Sequence, residues 1–249
     1  MGGWVGPAPC TLYPGGRVEA ILAPMTLILI VLFSVLFAAT HLGLSHDPFR
    51  QAIVAKIGQW PYRGLYSLVS FLTLGPAAVL WWQNRHLGAV LWELPFWPER
   101  IVAGLLVLFG FFLLFQMLAT PSPASMAPAK NEARGVLRIT RHPMNMAFVL
   151  WGLAHLLANG AVGDVAFFGS FVVIGVLGPY HQDARLKRSK GEEFAEFCKQ
   201  TSVMPFSAIL GRRNRLALDE LSFPLALIAV VAFAALTFFH SRLFGGELF

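Results

Sequence analysis

The sequence predicts an all-α fold, a polytopic membrane bundle of about six transmembrane helices. Three observations carry that expectation. The 249 residues are 56% hydrophobic and only 13% charged, about half the charged share of an ordinary soluble domain. The apolar residues come in unbroken blocks instead of the one-sided spacing of a water-facing helix. The basic residues stand between those blocks, so the net charge of +6 reads as membrane topology, with no nucleic-acid partner implied.

A helix crossing a hydrocarbon core of roughly 30 Å needs about 20 mostly apolar residues. In chain order the blocks are 26–44, 64–83, 101–119, 143–160, 162–180 and 223–240. Residues 1–24 are rich in Gly and Pro and lack a continuous apolar run, so they do not read as a signal peptide. They are expected to be a disordered extension ahead of a natural start at Met25, leaving 25–249 as one transmembrane domain. Pro76 falls inside the second block, where a kink is tolerated in a membrane helix. After the third block, "ATPSPASMAPAK" (119–130) is a connector without periodicity. Only "NGAVG" separates the fourth from the fifth, which makes them an antiparallel hairpin. In 181–204 the residues Leu186, Phe194 and Phe197 recur at helical intervals in a polar stretch. They predict an amphipathic helix against the bundle or the lipid headgroups, within a cytosolic segment 181–222.

Fifteen of the 19 Lys and Arg residues lie in 45–63, 120–142 and 181–222. The positive-inside rule then places both termini outside the cytoplasm of a bacterial inner membrane. The two cysteines, Cys10 and Cys198, have no metal-ligand spacing and imply no disulfide framework. Cys198 is expected to be a reduced thiol in a cytosolic loop.

Ionisable groups inside membrane spans are rare and point to function. His41 falls in the last turn of the first block, His142 at the mouth of the fourth, and His155 about 20 Å deeper at 1.5 Å per residue. At 100° per residue His142 and His155 lie about 140° apart, so they do not serve one small site. His142 shares its face with Asn145; His155 shares its face with Phe148, Trp151 and Asn159; Phe37 and Ser45 flank His41. Two neutral imidazoles from two helices, with aromatic neighbours, are what bis-histidine haem b requires. A depth difference of roughly 10 Å between His41 and His155 stands against the pair, and helix tilt offsets part of it. The competing reading is a core histidine satisfied by a nearby carbonyl, and for Arg141 and His142 a basic collar with Pro143 at the first helical position.

The stretches "GVLRITRHPMNMAFVLWGLAHLLANG" (135–160), "DARLKRSKGEEFAEFCKQTSVMPFSAI" (183–209), "THLGLS" (40–45), "YRGLYSLVS" (62–70) and "NRHLGAVLW" (84–92) resemble the NnrU family. That family includes 15-cis-zeta-carotene isomerase. The resemblance implies haem b with His41 and His155 as its iron ligands, and a role in activity for His142. The isomerase carries a cysteine three residues before the second ligand, where this chain has Gly152, and its "NHRY" appears here as "NRH". The bacterial branch is associated with nitrogen-oxide metabolism and denitrification. A more distant resemblance joins "RHPMN" and "EE" (Glu192, Glu193) to isoprenylcysteine-type membrane methyltransferases. It implies S-adenosylmethionine held by Arg141, His142 and a carboxylate.

The expected protein therefore binds haem b through His41 and His155, with Trp151 and Phe37 packing the cofactor. Arg141, His142 and Asn145 line the entrance as catalytic candidates. Its partners are membrane lipid and either a lipophilic polyene, isomerised in a redox-dependent step, or a nitrogen-oxide ligand. A methyltransferase and a non-catalytic haem sensor or assembly factor serving a respiratory partner are the alternatives.

Overall fold

A computed structural model describes residues 16–94, 96–125 and 130–245. The expectation of an extension falls partly outside them, at residues 1–15, as does Cys10. From Gly16 the backbone is helical, and the "VEAILAP" run leads straight into the first span.

Among the described residues nine α-helices follow one another: α1 (Gly16–Ser45), α2 (Asp47–Ile57), α3 (Gln59–Gln83), α4 (Phe96–Ala119), α5 (Pro143–Ala158), α6 (Val162–Lys190), α7 (Glu192–Gln200), α8 (Ser207–Leu210) and α9 (Phe223–Phe244). Short 3-10 turns stand at Gly135–Arg138 and Leu218–Glu220. Five of the helices are long and apolar enough to cross a membrane. The fourth predicted block becomes α5, whose 16 residues reach about 24 Å. The helix starts at Pro143 and stops where Asn159 turns extended, and Pro143, Met146, Ala147, Val149, Gly152 and Ala154 are all buried.

The helices pack in a row, α3–α1–α6–α5–α4–α9. Its outward faces carry apolar residues such as Phe71, Phe223 and Phe238, all at least 70% exposed, as lipid contact demands. One end of the row gathers the segments 45–63, 120–142 and 181–222 and is the basic end. The other carries the α5–α6 turn and the loop 84–94, and is the hairpin end.

The polar stretches depart most from expectation. The segment 45–63 contains a helix, α2. The predicted amphipathic helix over 181–204 is two pieces: α6 runs on to Lys190 because nothing after Pro179 breaks it before Gly191, and α7 then folds back. The 29 residues of α6 span about 44 Å, so its last turns leave the hydrocarbon and carry Asp183 and Arg185 beyond it. Phe194 and Phe197, 1% and 2% exposed, face a core of Leu113, Val136, Leu137 and Met146 instead of lipid. Cys198 rides on α7, half-buried, where burial pushes its thiol up from the ordinary value.

The α5–α6 hairpin is set by close approach. A Cβ on Gly152 would stand 2.8 Å from Val172 Cγ2 and 3.1 Å from the Phe168 carbonyl oxygen. One on Gly175 would meet Val149 Cγ2 at 2.5 Å. Small residues let membrane helices approach until their backbones nearly touch, and here they fix the level of every α5 side chain against α6.

Candidate functional site

At the basic end, the segment entering α5 is bolted down before the helix begins. Thr140 accepts from the His142 backbone N–H at 3.2 Å, and its hydroxyl donates to the Val203 carbonyl at 2.6 Å. Arg141 Nε and Nη2 both donate to Asp183 Oδ2, at 2.9 and 2.6 Å, and Nη1 donates to the Thr201 carbonyl at 3.1 Å. His142 Nε2 donates to Asp183 Oδ1 at 2.8 Å. One carboxylate on α6 thus collects both basic side chains of the "RHP" sequence. Asp183 and His142 are 5% and 2% exposed.

His142 Nδ1 is buried without a partner. His142 and Asn145 line a narrow cleft with Ser122, Ser125 and Gln182. Among the described residues no hydrogen bond engages the Asn145 side chain, so Asn145 and His142 Nδ1 are the open polar groups of the three residues predicted here. Glu192 and Glu193 do not join them. Both are exposed on α7, with Glu192 3.7 Å from Lys199. The methyltransferase pattern therefore finds Arg141 and His142 already engaged by Asp183.

At the hairpin end a second carboxylate plays a similar part. Asp164 is fully buried and accepts from Trp81 Nε1 at 2.7 Å and His86 Nδ1 at 2.9 Å. The loop 84–94 pairs its backbone with the α5–α6 turn: Leu91 donates to Gly160, Val162 to Ala89 and Gly163 to Leu87, at 2.8 to 3.1 Å. A Cβ on Gly160 would lie 2.0 Å from the Trp92 carbonyl oxygen, so only glycine admits this contact.

Between the two ends lie the predicted cofactor residues. His41 Nδ1 is 3.3 Å from Ser70 Oγ, and its ring packs on Phe37 at 5.4 Å and Tyr66 at 4.8 Å between centroids. His155 Nδ1 bonds the Trp151 carbonyl at 2.8 Å, and its ring stacks on Phe168 at 4.5 Å. Phe171 joins the two groups, 5.6 Å from Phe37 and 5.1 Å from Trp151, and Trp151 lies 4.7 Å from His155. His41, Phe37, Phe171, Trp151 and His155 therefore form one continuous run of ring contacts. The two histidines stand at its ends without touching.

The donor chemistry of each histidine, taken singly, suits a metal ligand. A carbonyl only accepts, so His155 carries its proton on Nδ1 and presents the lone pair of Nε2, the arrangement by which an outer hydrogen bond orients a metal-ligating histidine. Among the described residues neither His41 Nε2 nor His155 Nε2 has a hydrogen bond.

Sequence reasoning singled out Phe37, His41, Trp151 and His155 but missed Phe171, Asp164 and Asp183. Asp164 had a visible signal, an acid inside an apolar block. Asp183 had none beyond its place at the mouth of the fifth block, because its partners lie 41 and 42 positions away.

The chain is similar in sequence to known proteins. The chain is 28% identical over 200 residues to the chloroplastic 15-cis-zeta-carotene isomerase of Zea mays, covering 77% of this chain and 53% of that protein. It is 28% identical over 225 residues to the chloroplastic 15-cis-zeta-carotene isomerase of Arabidopsis thaliana, covering 86% of this chain and 59% of that one. The chain thus spans little more than half the length of these curated relatives. No solved structure matches it. The family described as NnrU protein matches residues 28–247, from within α1 to just past the end of α9, so every helix described above except the start of α1 falls inside the match, and the chain belongs to the NnrU family.

Proposed function

We propose that this protein is an isomerase-type membrane protein for a lipophilic polyene that holds haem b between His41 and His155. The observation that carries the reading is the run of aromatic contacts ending in a histidine on either side, each with Nε2 free of hydrogen bonds. Similarity to two zeta-carotene isomerases supports the polyene as the substrate class. When bound, haem supplies an iron for redox and Lewis-acid activation of a conjugated double bond.

The chain's own residues hold and shape that chamber. The Trp151 carbonyl keeps the His155 proton on Nδ1, and Ser70 steadies the His41 ring. Phe37 and Trp151 offer flat apolar faces and keep water out. Phe171, between them, is the side chain that yields room. Arg141 and His142 act as positioning residues: their grip on Asp183 sets where α5 starts, and with it the level of His155. Asn145 and the unpartnered His142 Nδ1 are the polar groups left to meet a ligand at the cleft. The basic end faces the compartment from which the protein inserts, the cytoplasm of a bacterium, with both termini on the opposite side.

The test is purification in mild detergent, oxidised and reduced visible spectra with a pyridine haemochrome assay, and conversion of a cis-polyene. His41→Ala and His155→Ala should each lower haem content while His240→Ala should not. Equal haem in all three overturns the ligand assignment. Nitric oxide binding by the reduced protein, with no polyene converted, would move the reading to nitrogen-oxide chemistry.

A further inference from the structure

Three arginines at the basic end lack the carboxylates that hold the others nearby. Arg138 has Glu220, Arg141 has Asp183, and Arg188 pairs with Asp47 of α2. Arg50, Arg63 and Arg185 come from α2, α3 and α6, and all are half-buried. Arg185 lies within electrostatic range of Arg50, Arg63, Tyr62 and Tyr66, one turn before Arg188, whose pairing with Asp47 brings this part of α6 against α2. Among the described residues the Arg185 guanidinium makes no hydrogen bond or ion pair, although it carries five N–H donors.

The other two are held in place by neutral groups. Arg50 donates to Gln59 Oε1 at 2.8 Å and sits 5.5 Å from the centre of the Tyr62 ring. Arg63 sits 4.7 Å from the Trp60 ring centre. Like charges held near one another and partly out of water repel, and a bound anion relieves that repulsion. Guanidinium forks match the paired oxygens of carboxylate and phosphate.

Arg185 is partly withdrawn from solvent. It neighbours Tyr62, 5% exposed, and Tyr66, whose ring packs on His41 and whose hydroxyl donates to the His41 carbonyl at 3.4 Å. We propose that Arg50, Arg63 and Arg185 form a binding site for the anionic oxygens, carboxylate or phosphate, of an amphiphilic ligand whose apolar body lies along Tyr66 and His41. Two sources carry that chemistry: the phosphate of an acidic lipid, and the propionates of a macrocycle ligated by His41. Only the second rests on the function proposed above.

The experiment compares purified wild type with Arg185→Gln, Arg185→Lys and, on the same helix, Lys187→Gln, which is exposed. Native mass spectrometry reads retention of phosphatidylglycerol against phosphatidylcholine. Titration reads the preference for protohaem over its dimethyl ester. One of the two preferences should fall about tenfold in Arg185→Gln, the loss of one charge-assisted hydrogen bond. Arg185→Lys should retain part of it, and Lys187→Gln should match wild type. The preference that falls identifies the source. Both unchanged in a helical, monodisperse Arg185→Gln overturns the site. If that variant does not fold, Arg63→Gln carries the same comparison. Wild type that takes up no protohaem removes the haem reading, and the lipid preference then decides this site alone.

Discussion

The two ends of α5 handle a histidine in opposite ways. At the basic end His142 is buried against Asp183, with Arg141 on the same carboxylate. Toward the hairpin end His155 has no acid on its ring; it bonds the carbonyl of Trp151 in its own helix and stacks on Phe168. Histidine at depth says only that the membrane's cost for an ionisable group has been met. Met by a carboxylate from the next helix, the ring becomes a tie between helices. Met by a carbonyl of its own turn, it stays neutral and keeps a nitrogen free for a ligand.

The sharpest way to break that contrast is to remove what each ring leans on. Asp183→Ala leaves the Arg141 charge without its partner in a site where that side chain is 12% exposed. Breaking a buried pair from one side costs about 3–5 kcal/mol. His155→Ala removes ring contacts worth about 1 kcal/mol each and strands no charge. Thermal unfolding in detergent should therefore show a larger loss for Asp183→Ala than for His155→Ala, while, on the function proposed above, haem content shows the reverse order of damage. Equal melting losses would end the distinction between tie and ligand.

Gly152 tests the ground between the two ends. The isomerase pattern has cysteine at this position, and this chain has no room for one: the Cβ alone meets Val172 and the Phe168 carbonyl. Gly152→Cys should force α5 off α6 and cost about 1–3 kcal/mol, the range for overpacking. Since Phe168 also stacks on His155, the shift should reach that ring and leave the Arg141–Asp183 contact in place. Melting combined with the visible spectrum of any bound haem reads both. A variant as stable as wild type would mean that the hairpin slides freely.

What was legible in the sequence follows from which forces act locally. The spans were legible because the bilayer imposes composition block by block. Phe37 and His41 on one helix, and Trp151 and His155 on another, were legible as faces because 3.6-residue periodicity places i and i+4 together. Their union through Phe171 was not, since it depends on how α6 seats between α1 and α5. Outside the lipid the composition rule lapses. The end of α6 was placed ten residues early because a polar helix continues until something stops it, and Gly191 is where this one stops. Asp183 stayed hidden for a related reason: an acid among lysines and arginines looks like surface until the hairpin register turns it inward.

The smallest effect belongs to a clamp outside the lipid, and it separates stability at the basic end from the chemistry near His155. Glu220 accepts from Arg138 Nε and Nη2 at 2.8 and 2.7 Å, and from the Gly135 N–H at 2.7 Å. The Arg138 hydrogen bond, helped by Gly135 and the nearby positive charges, holds the carboxyl down to about 2 against an ordinary value of 4.5. A carboxyl depressed in the folded protein contributes its full stabilisation above the unfolded value and loses it as pH falls through the folded one. The clamp should therefore weaken between about pH 4.5 and 2, and Glu220→Gln should flatten that part of the acid limb. Glu220 is 22% exposed on its side chain, and solvent screening keeps the contribution to about 1 kcal/mol or less. Amide protection across 130–142, taken relative to the intrinsic exchange rate at each pH, should fall over this window before any change near His155. Simultaneous loosening at both ends of α5 would show that the short helix transmits strain along its whole length, and that the two histidines answer to one cooperative unit.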